Sequence, residues 1–270
     1  MTQDAWVMSH PYLQPVASLH AEVNNEMIGI TAASSAMPPW DNYTRDFLAG
    51  VPLLGSSAVA IDCLPAEKMI RSKVERLTGS PTPQIANEIR IVEAELRGDL
   101  AAPNRVVAWL LEVDPFASRS PGLLRYIGWT ALSQYLRPLV DEFAKWRGED
   151  RWLRSYCPTC GSQPAMAQLV GSDPGRQRFL SCGCCGTRWR YQRTKCPFCE
   201  SQDDHRISIV TVEGEGGLRI DYCEACRGYL KTYDGEGNEG VMLADWTSIH
   251  FDVIAQDRGL KRLAASLYEL

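Results

Sequence analysis

Four Cys-x-x-Cys pairs dominate the middle of this 270-residue chain. Nine of its ten cysteines fall between residues 157 and 226. Two residues between cysteines form a tight turn that directs both sulfurs at one point, and two such turns facing each other make a tetrahedral S4 site. The turns, here called knuckles, therefore predict two metal sites. They are Cys157/Cys160, Cys182/Cys185, Cys196/Cys199 and Cys223/Cys226.

A repeat in the sequence indicates which knuckles combine. Four knuckles can form two sites in three ways. After Cys160 and after Cys199, an alternating segment, a glycine-containing turn and a second alternating segment lead to the next knuckle, over 21 and 23 residues. This order predicts a hairpin in each unit, and a further short strand follows each second knuckle. We predict two tandem rubredoxin-like or zinc-ribbon modules, a first unit at 151–193 and a second unit at 194–235.

The repeat assigns four sulfurs to each site. The first site comprises Cys157, Cys160, Cys182 and Cys185. The second site comprises Cys196, Cys199, Cys223 and Cys226. Because so small a hairpin buries little apolar surface, we expect the metal to be the core of each module.

The stretch SCGCCGTRW, residues 181–189, contains one cysteine more than a knuckle needs. The spacing of Cys223 and Cys226 makes Cys182 and Cys185 the matching pair, which leaves Cys184 between them as a residue that is not a ligand. We consider two roles for Cys184: a turn residue without function, or an accessible thiol that oxidises first and disrupts the site.

The remaining cysteine and the histidines are not predicted to bind metal. Cys63 is expected to be a small buried residue, as free cysteines commonly are. His205 lies near the second site, but four thiolates already complete that site, so we expect a solvent-exposed side chain. No ligand spacing involves His10, His20 or His250.

The cysteine-rich middle separates two helical regions, which makes the predicted fold class α+β. Residues 1–150 form an all-α domain, 151–235 the tandem four-cysteine modules, and 236–270 a C-terminal helical tail packing on the rest. The first 40 residues have little periodicity and carry no fold prediction. Apolar residues recur at helical spacing in four later segments, the last containing Pro138, which should bend its helix. The segments are 66–79, 80–96, 104–113 and 120–146.

Charge and motifs limit the function. The net charge is −5, yet residues 151–235 carry 12 basic and 9 acidic side chains. We attribute this local excess partly to compensation for negatively charged thiolate sites. An acidic chain without a long basic stripe disfavours nucleic-acid binding. An S4 site is coordinatively closed and no other catalytic motif occurs, which argues against an enzyme.

Three classes remain at this point: a protein that binds or matures another protein, an electron carrier if the metal is iron, and a zinc-ribbon nucleic-acid binder. Red purified protein would indicate iron, and colourless metal-containing protein would indicate zinc. No apolar run is long enough to span a bilayer and no secretory signal is present, so we predict a cytoplasmic location without membrane insertion.

The cysteine segments resemble those of the formate dehydrogenase accessory protein FdhE family. The similarity is specific over residues 156–234 and weak before 150. The stretches that carry it are YCPTCGSQPAMAQL, RFLSCGCCGTRWRYQRTKCPFCES and YCEACRGYLKTYD. Phe179 stands where the family usually has tyrosine, and only part of a family segment after residue 240 survives.

This resemblance implies a cytoplasmic accessory protein that is not itself a catalyst. Such proteins are thought to bind the catalytic subunit of formate dehydrogenase, here through the tandem four-cysteine region. The resemblance favours two iron ions over zinc, which S4 geometry would also suit. It leaves the oligomeric state open.

We place the client-binding face at the knuckles and at the groove between them and the helical domain, because Trp189 lies among arginines and this composition is common at interfaces. The alternative is that Trp189 covers the hairpin core.

Overall fold

The computed structural model describes residues 1–32, 36–79, 83–172, 174–201 and 206–267. Helices occupy both ends of the chain and a sheet occupies its middle. The helices are α1 (Gln3–Ser9), α2 (Gln14–Glu26), α3 (Trp40–Ala49), α4 (Leu64–Thr78), α5 (Ala86–Arg97), α6 (Arg105–Leu110), α7 (Pro121–Arg147), α8 (Glu239–Met242) and α9 (Ile249–Asp257). The strands are β1 (Pro164–Val170), β2 (Gln177–Cys182), β3 (Arg188–Tyr191), β4 (Ile207–Thr211), β5 (Leu218–Cys223) and β6 (Tyr229–Asp234).

The predicted α+β class is confirmed, and all four predicted helical segments contain a helix. The third is shorter than its segment, because α6 ends at Leu110 and Glu112 has a left-handed φ of 60°. The structure adds α1 and α2 in the first 40 residues. Their weak pattern has a physical reason: only Val23 of α2 is buried, so the helix displays almost no apolar stripe.

The two cysteine units share one six-stranded sheet. Its order is β3-β2-β1-β6-β5-β4, so each unit contributes three antiparallel strands. The join is a parallel pairing of β1 with β6, in register from Met166 opposite Lys231 to Leu169 opposite Asp234. Each unit thereby covers a strand edge that would otherwise expose unpaired backbone groups. The sequence predicted the strands of each unit but not the pairing of β1 with β6 between the units.

Two apolar cores lie on this framework. The larger core contains the buried faces of α3 to α7 and extends into the first unit through Trp152, Leu180 and Trp189. The smaller core combines α1, the second unit and the C-terminal residues. Trp6 of α1 contributes to it and donates its indole N–H to the Thr247 carbonyl over 2.9 Å. The domain boundaries at residues 150 and 235 stay predictions.

Trp189 is fully buried in the larger core, and its indole N–H donates to the Arg154 carbonyl over 2.9 Å. The covering role weighed for Trp189 is therefore correct, and this side chain is not part of the protein surface. The client-binding face at the knuckles and the groove stays a prediction. A strand that packs on both the helices and the cysteine turns needs a large side chain at this point.

We expect Trp189→Ala to lower the free energy of unfolding by about 3–5 kcal/mol, because it leaves a large cavity in a close-packed core. Chemical denaturation followed by circular dichroism measures this. Trp189→Phe, which keeps most of the buried ring, is the matched control and should cost clearly less. Equal stability of Trp189→Ala and the wild type would contradict the structural role.

Candidate metal centres

All four knuckles have the same backbone construction. In each, the N–H of the first cysteine donates to the carbonyl of the residue five positions later. The donor–acceptor distance is 2.9 Å for Cys157, Cys182 and Cys223, and 3.3 Å for Cys196. The residue after each second cysteine has a left-handed φ, between 54° and 83°. These residues are Gly161, Gly186, Glu200 and Arg227. The repeat inferred from the sequence is therefore also a repeat of conformation.

The structure brings the eight predicted ligands together in the predicted sets. Within each set the four Sγ atoms lie within 4.8 Å of one another. A tetrahedral site with metal–sulfur bonds of about 2.3 Å has sulfurs about 3.8 Å apart. In the first site, the Sγ distances are 3.5 Å for Cys157 to Cys185 and 3.4 Å for Cys160 to Cys182.

In the second site, the Sγ distances are 3.8 Å for Cys196 to Cys226 and 3.7 Å for Cys199 to Cys223. Both sets of sulfurs fit a tetrahedral S4 metal ion, which four soft thiolates suit. Metal binding by these eight residues nevertheless stays a prediction.

Hydroxyl groups surround the sulfurs of the first site. Thr187 Oγ1 lies 3.1 Å from Cys185 Sγ, and Ser162 Oγ lies 3.3 Å from Cys160 Sγ. Thr187 also bonds to the hydroxyl of Thr159, which is itself fully buried. These hydroxyls can donate hydrogen bonds to thiolates, which stabilises the negative charge of a metal-bound sulfur.

Backbone N–H groups take that role at the second site. Phe198 N–H donates to Cys196 Sγ and Gly228 N–H to Cys226 Sγ, each over 3.4 Å. Both donors are the second residue after the cysteine they contact, so the knuckle conformation itself supplies them. The two sites therefore share a backbone design and differ in their side-chain surroundings.

Cys184 is buried beside the first site and is not among the clustered ligands. A hydrogen bond with Cys160 and burial raise the pKa of the Cys184 thiol well above its usual range, so the thiol stays protonated and can donate its S–H. The hypothesis of an accessible, readily oxidised thiol at position 184 is wrong. Cys63 is half-buried rather than fully buried, and burial raises its pKa to about 11.

The basic side chains around the sites mostly have carboxylate partners. Arg190 pairs with Asp150, and Lys195 Nζ lies 3.5 Å from Glu200. Two further cations near the sites are paired in the same way: Arg227 with Glu224, and Lys231 with both Asp245 and Asp252. The partial compensation of thiolate charge by the local positive excess stays a prediction. The pairing of these cations also leaves less free positive charge for nucleic acid.

The sequence did not predict two polar clusters that connect the C-terminal tail, residues 236–270, to the rest of the molecule. Glu215 Oε1 lies 3.0 Å from Nε2 of both His10 and His250, which are far apart in sequence. Asp245 and Asp252 each contact Lys231 and Arg262 within 2.6–2.8 Å. Neither cluster has a local spacing that could reveal it. His205 lies outside the described residues.

Comparison with known proteins bears on the cysteine arrangement. A family model described as FdhE, central domain, matches residues 156–193. The FdhE homolog of Aquifex aeolicus is 33% identical over 145 residues, which cover 52% of this chain and 50% of that protein. The FdhE protein of Salmonella choleraesuis is 28% identical over 212 residues, covering 77% of this chain and 68% of that protein. Over these ranges the chain is similar to FdhE proteins.

The fold is also similar to that of a solved FdhE structure. The crystal structure of FdhE from Pseudomonas aeruginosa matches 95% of this chain and 88% of its own with a TM-score of 0.61, at 24% identity. The FdhE central-domain match covers the first site and β1 to β3, and ends before the second site begins. The alignment with the Aquifex protein spans only half of that relative's length.

We expect Cys184→Ser to bind as much metal as the wild type, because the four sulfurs of the first site cluster without it. Cys185→Ser, its sequence neighbour, is the matched control and should lose about one metal equivalent. Elemental analysis of both purified variants measures this. Loss of a metal equivalent in Cys184→Ser would show that Cys184 is a ligand.

Proposed function

We propose that this protein is a metal-binding accessory protein for formate dehydrogenase. The observation that carries the proposal is the pair of four-sulfur clusters, arranged in sequence and space as one repeated construction, in a chain similar to FdhE proteins. The similarity to FdhE proteins supports formate dehydrogenase as the client, and the positions of the sulfurs support metal binding. The protein would act on its client by binding, because an S4 site leaves no open coordination position for a substrate.

Each site would hold one ion through its four cysteines, iron by family resemblance or zinc as the alternative. The bound ion would crosslink two hairpin ends, and iron would add the ability to change oxidation state. The chain's own groups supply the donors to the sulfurs: the hydroxyls of Ser162 and Thr187 at the first site, and backbone N–H groups at the second.

We expect anaerobically purified protein to contain two metal ions per chain. Absorption in the visible range indicates iron, whereas a colourless sample with two zinc equivalents indicates zinc. Elemental analysis combined with a visible spectrum measures both. Protein that retains less than one equivalent after purification and reconstitution would contradict metal binding at two sites.

A groove between the helices and the first unit offers a surface for the client. Its volume is about 400 Å³, within the range of ordinary binding pockets. It runs beside the second knuckle, between α2, α7 and the residues after α8. The residues that line it include Tyr126, Trp129, Ser133, Met166, Cys182 and Leu243. We propose that a segment of the catalytic subunit binds here.

We propose a cytoplasmic location for this interaction. Within the part of the chain that the structure describes, no helix is both long and apolar enough to cross a bilayer. The location therefore rests on the family and on the role proposed for the protein.

We expect Ser133→Arg to reduce capture of the formate dehydrogenase catalytic subunit at least tenfold, because the long charged side chain would fill the groove. Ser133 is half-buried on α7 and lines the groove, whereas its neighbour Gln134 is exposed and does not. Gln134→Arg is therefore the matched control and should bind as the wild type does.

A pull-down with metal-loaded protein measures the effect. If Ser133→Arg retains both metals and binds like the wild type, the groove is not the client site. If the wild type itself captures no catalytic subunit, the proposed client is wrong.

A further inference from the structure

The two sites differ in their exposure to solvent. All four cysteines of the first site are buried, the most exposed being Cys160 at 8%. In the second site Cys199 is exposed and Cys226 is half-buried, while the other two cysteines are buried. Solvent therefore has more access to the second site, through Cys199, than to any cysteine of the first site.

The helical region closes the first site. Backbone N–H groups of Leu53 and Leu54 donate to the carbonyls of Pro158 and Thr159, inside the first knuckle, over 2.9 and 2.8 Å. The second knuckle packs against α7: a Cβ at Gly183 would lie only 3.1 Å from the ring of Trp129. Both knuckles of the first site are therefore held against the helical core.

A short segment after α9 covers part of the second site. Lys261 N–H donates to the Arg227 carbonyl over 2.8 Å, and Tyr229 N–H donates to the Lys261 carbonyl over 3.1 Å. Leu263 lies against Gly228, where an added Cβ would meet it at 2.6 Å. These contacts hold the fourth knuckle, whereas Cys199 in the third knuckle remains exposed. The second site can thus open at Cys199 without disturbing a core.

The two sites also differ in the backbone strain of their knuckles. The left-handed residue after each second cysteine is glycine in both knuckles of the first site, Gly161 and Gly186. In the second site the equivalent residues are Glu200 and Arg227, whose Cβ atoms make this conformation unfavourable. The knuckles of the second site therefore have a less favourable backbone conformation than those of the first site.

We propose that the two sites have different roles, the first as a permanent structural centre and the second as an exchange centre. The second site would lose and regain its metal through Cys199, in reaction with soft ligands such as thiols. The inference rests on the metal binding proposed above. Cys199 would be the ligand that leaves, an incoming thiol would take its place on the metal, and the proton of that thiol would pass to the released Cys199 Sγ.

The test uses full-length protein loaded with two zinc equivalents under reducing conditions. A chromophoric chelator, 4-(2-pyridylazo)resorcinol, is added and zinc release is followed over time. We expect two phases of one equivalent each, with the first at least tenfold faster. Release in a single phase would overturn the proposal.

Alkylation of samples taken during release identifies the site that empties, and it needs no variant. N-ethylmaleimide followed by mass spectrometry should label the cysteines of the second site in the fast phase and those of the first site only in the slow phase. The reverse order would overturn the proposal. Fewer than two bound equivalents at the start would contradict the metal binding itself, and the inference would fail with it.

Matched variants test the role of the exposed sulfur. Cys199→Ser should accelerate the fast phase or remove its equivalent, while leaving the slow phase within twofold of the wild type. Cys160→Ser, the equivalent position of the first site, should change the slow phase instead and reduce resistance to denaturant, because the first site is continuous with the helical core. An effect of Cys199→Ser on the slow phase alone would contradict the assignment.

Discussion

The parallel pairing of β1 with β6 is the interaction on which the arrangement of this molecule depends. Each cysteine unit is a three-stranded antiparallel sheet with its knuckles at the strand ends, and neither would bury much apolar surface by itself. Pairing the first strand of one unit with the last strand of the other makes one sheet. The helices then pack mainly on the first unit, and α1 with the tail packs on the second.

This arrangement explains why identical knuckles have different surroundings. A repeat in sequence gives both units the same turns and sulfur geometry, but the units occupy opposite halves of the sheet. Only one half lies against the large helical core, so the first site becomes part of that core while Cys199 of the second stays in solvent. The glycines at the first site and the larger Glu200 and Arg227 at the second accompany this difference.

Much of the fold could be predicted because its signals are local. Helical spacing revealed α4 to α7, and the repeated order of knuckle, strand and turn indicated both the strands and the grouping of the sulfurs. The missed features depend on residues distant in sequence. The β1–β6 pairing, the contacts of Glu215 with His10 and His250, and the burial of Trp189 arise only when separate segments meet. A tryptophan that lies among arginines in the sequence, as Trp189 does, can be either a surface residue or a core residue.

A buried charge network holds the C-terminal tail beside the fourth knuckle of the second site. Lys231 of β6 is almost fully buried, and such a cation is tolerated only when its partners are complete. Asp245 and Asp252 supply two carboxylates, and Arg262 balances the remaining charge. Burial would raise the pKa of Asp245, but Lys231 and Arg262 outweigh it and hold that pKa well below its usual range. Because Arg262 directly follows Lys261, whose backbone bonds to Arg227, the network anchors the segment that covers the fourth knuckle.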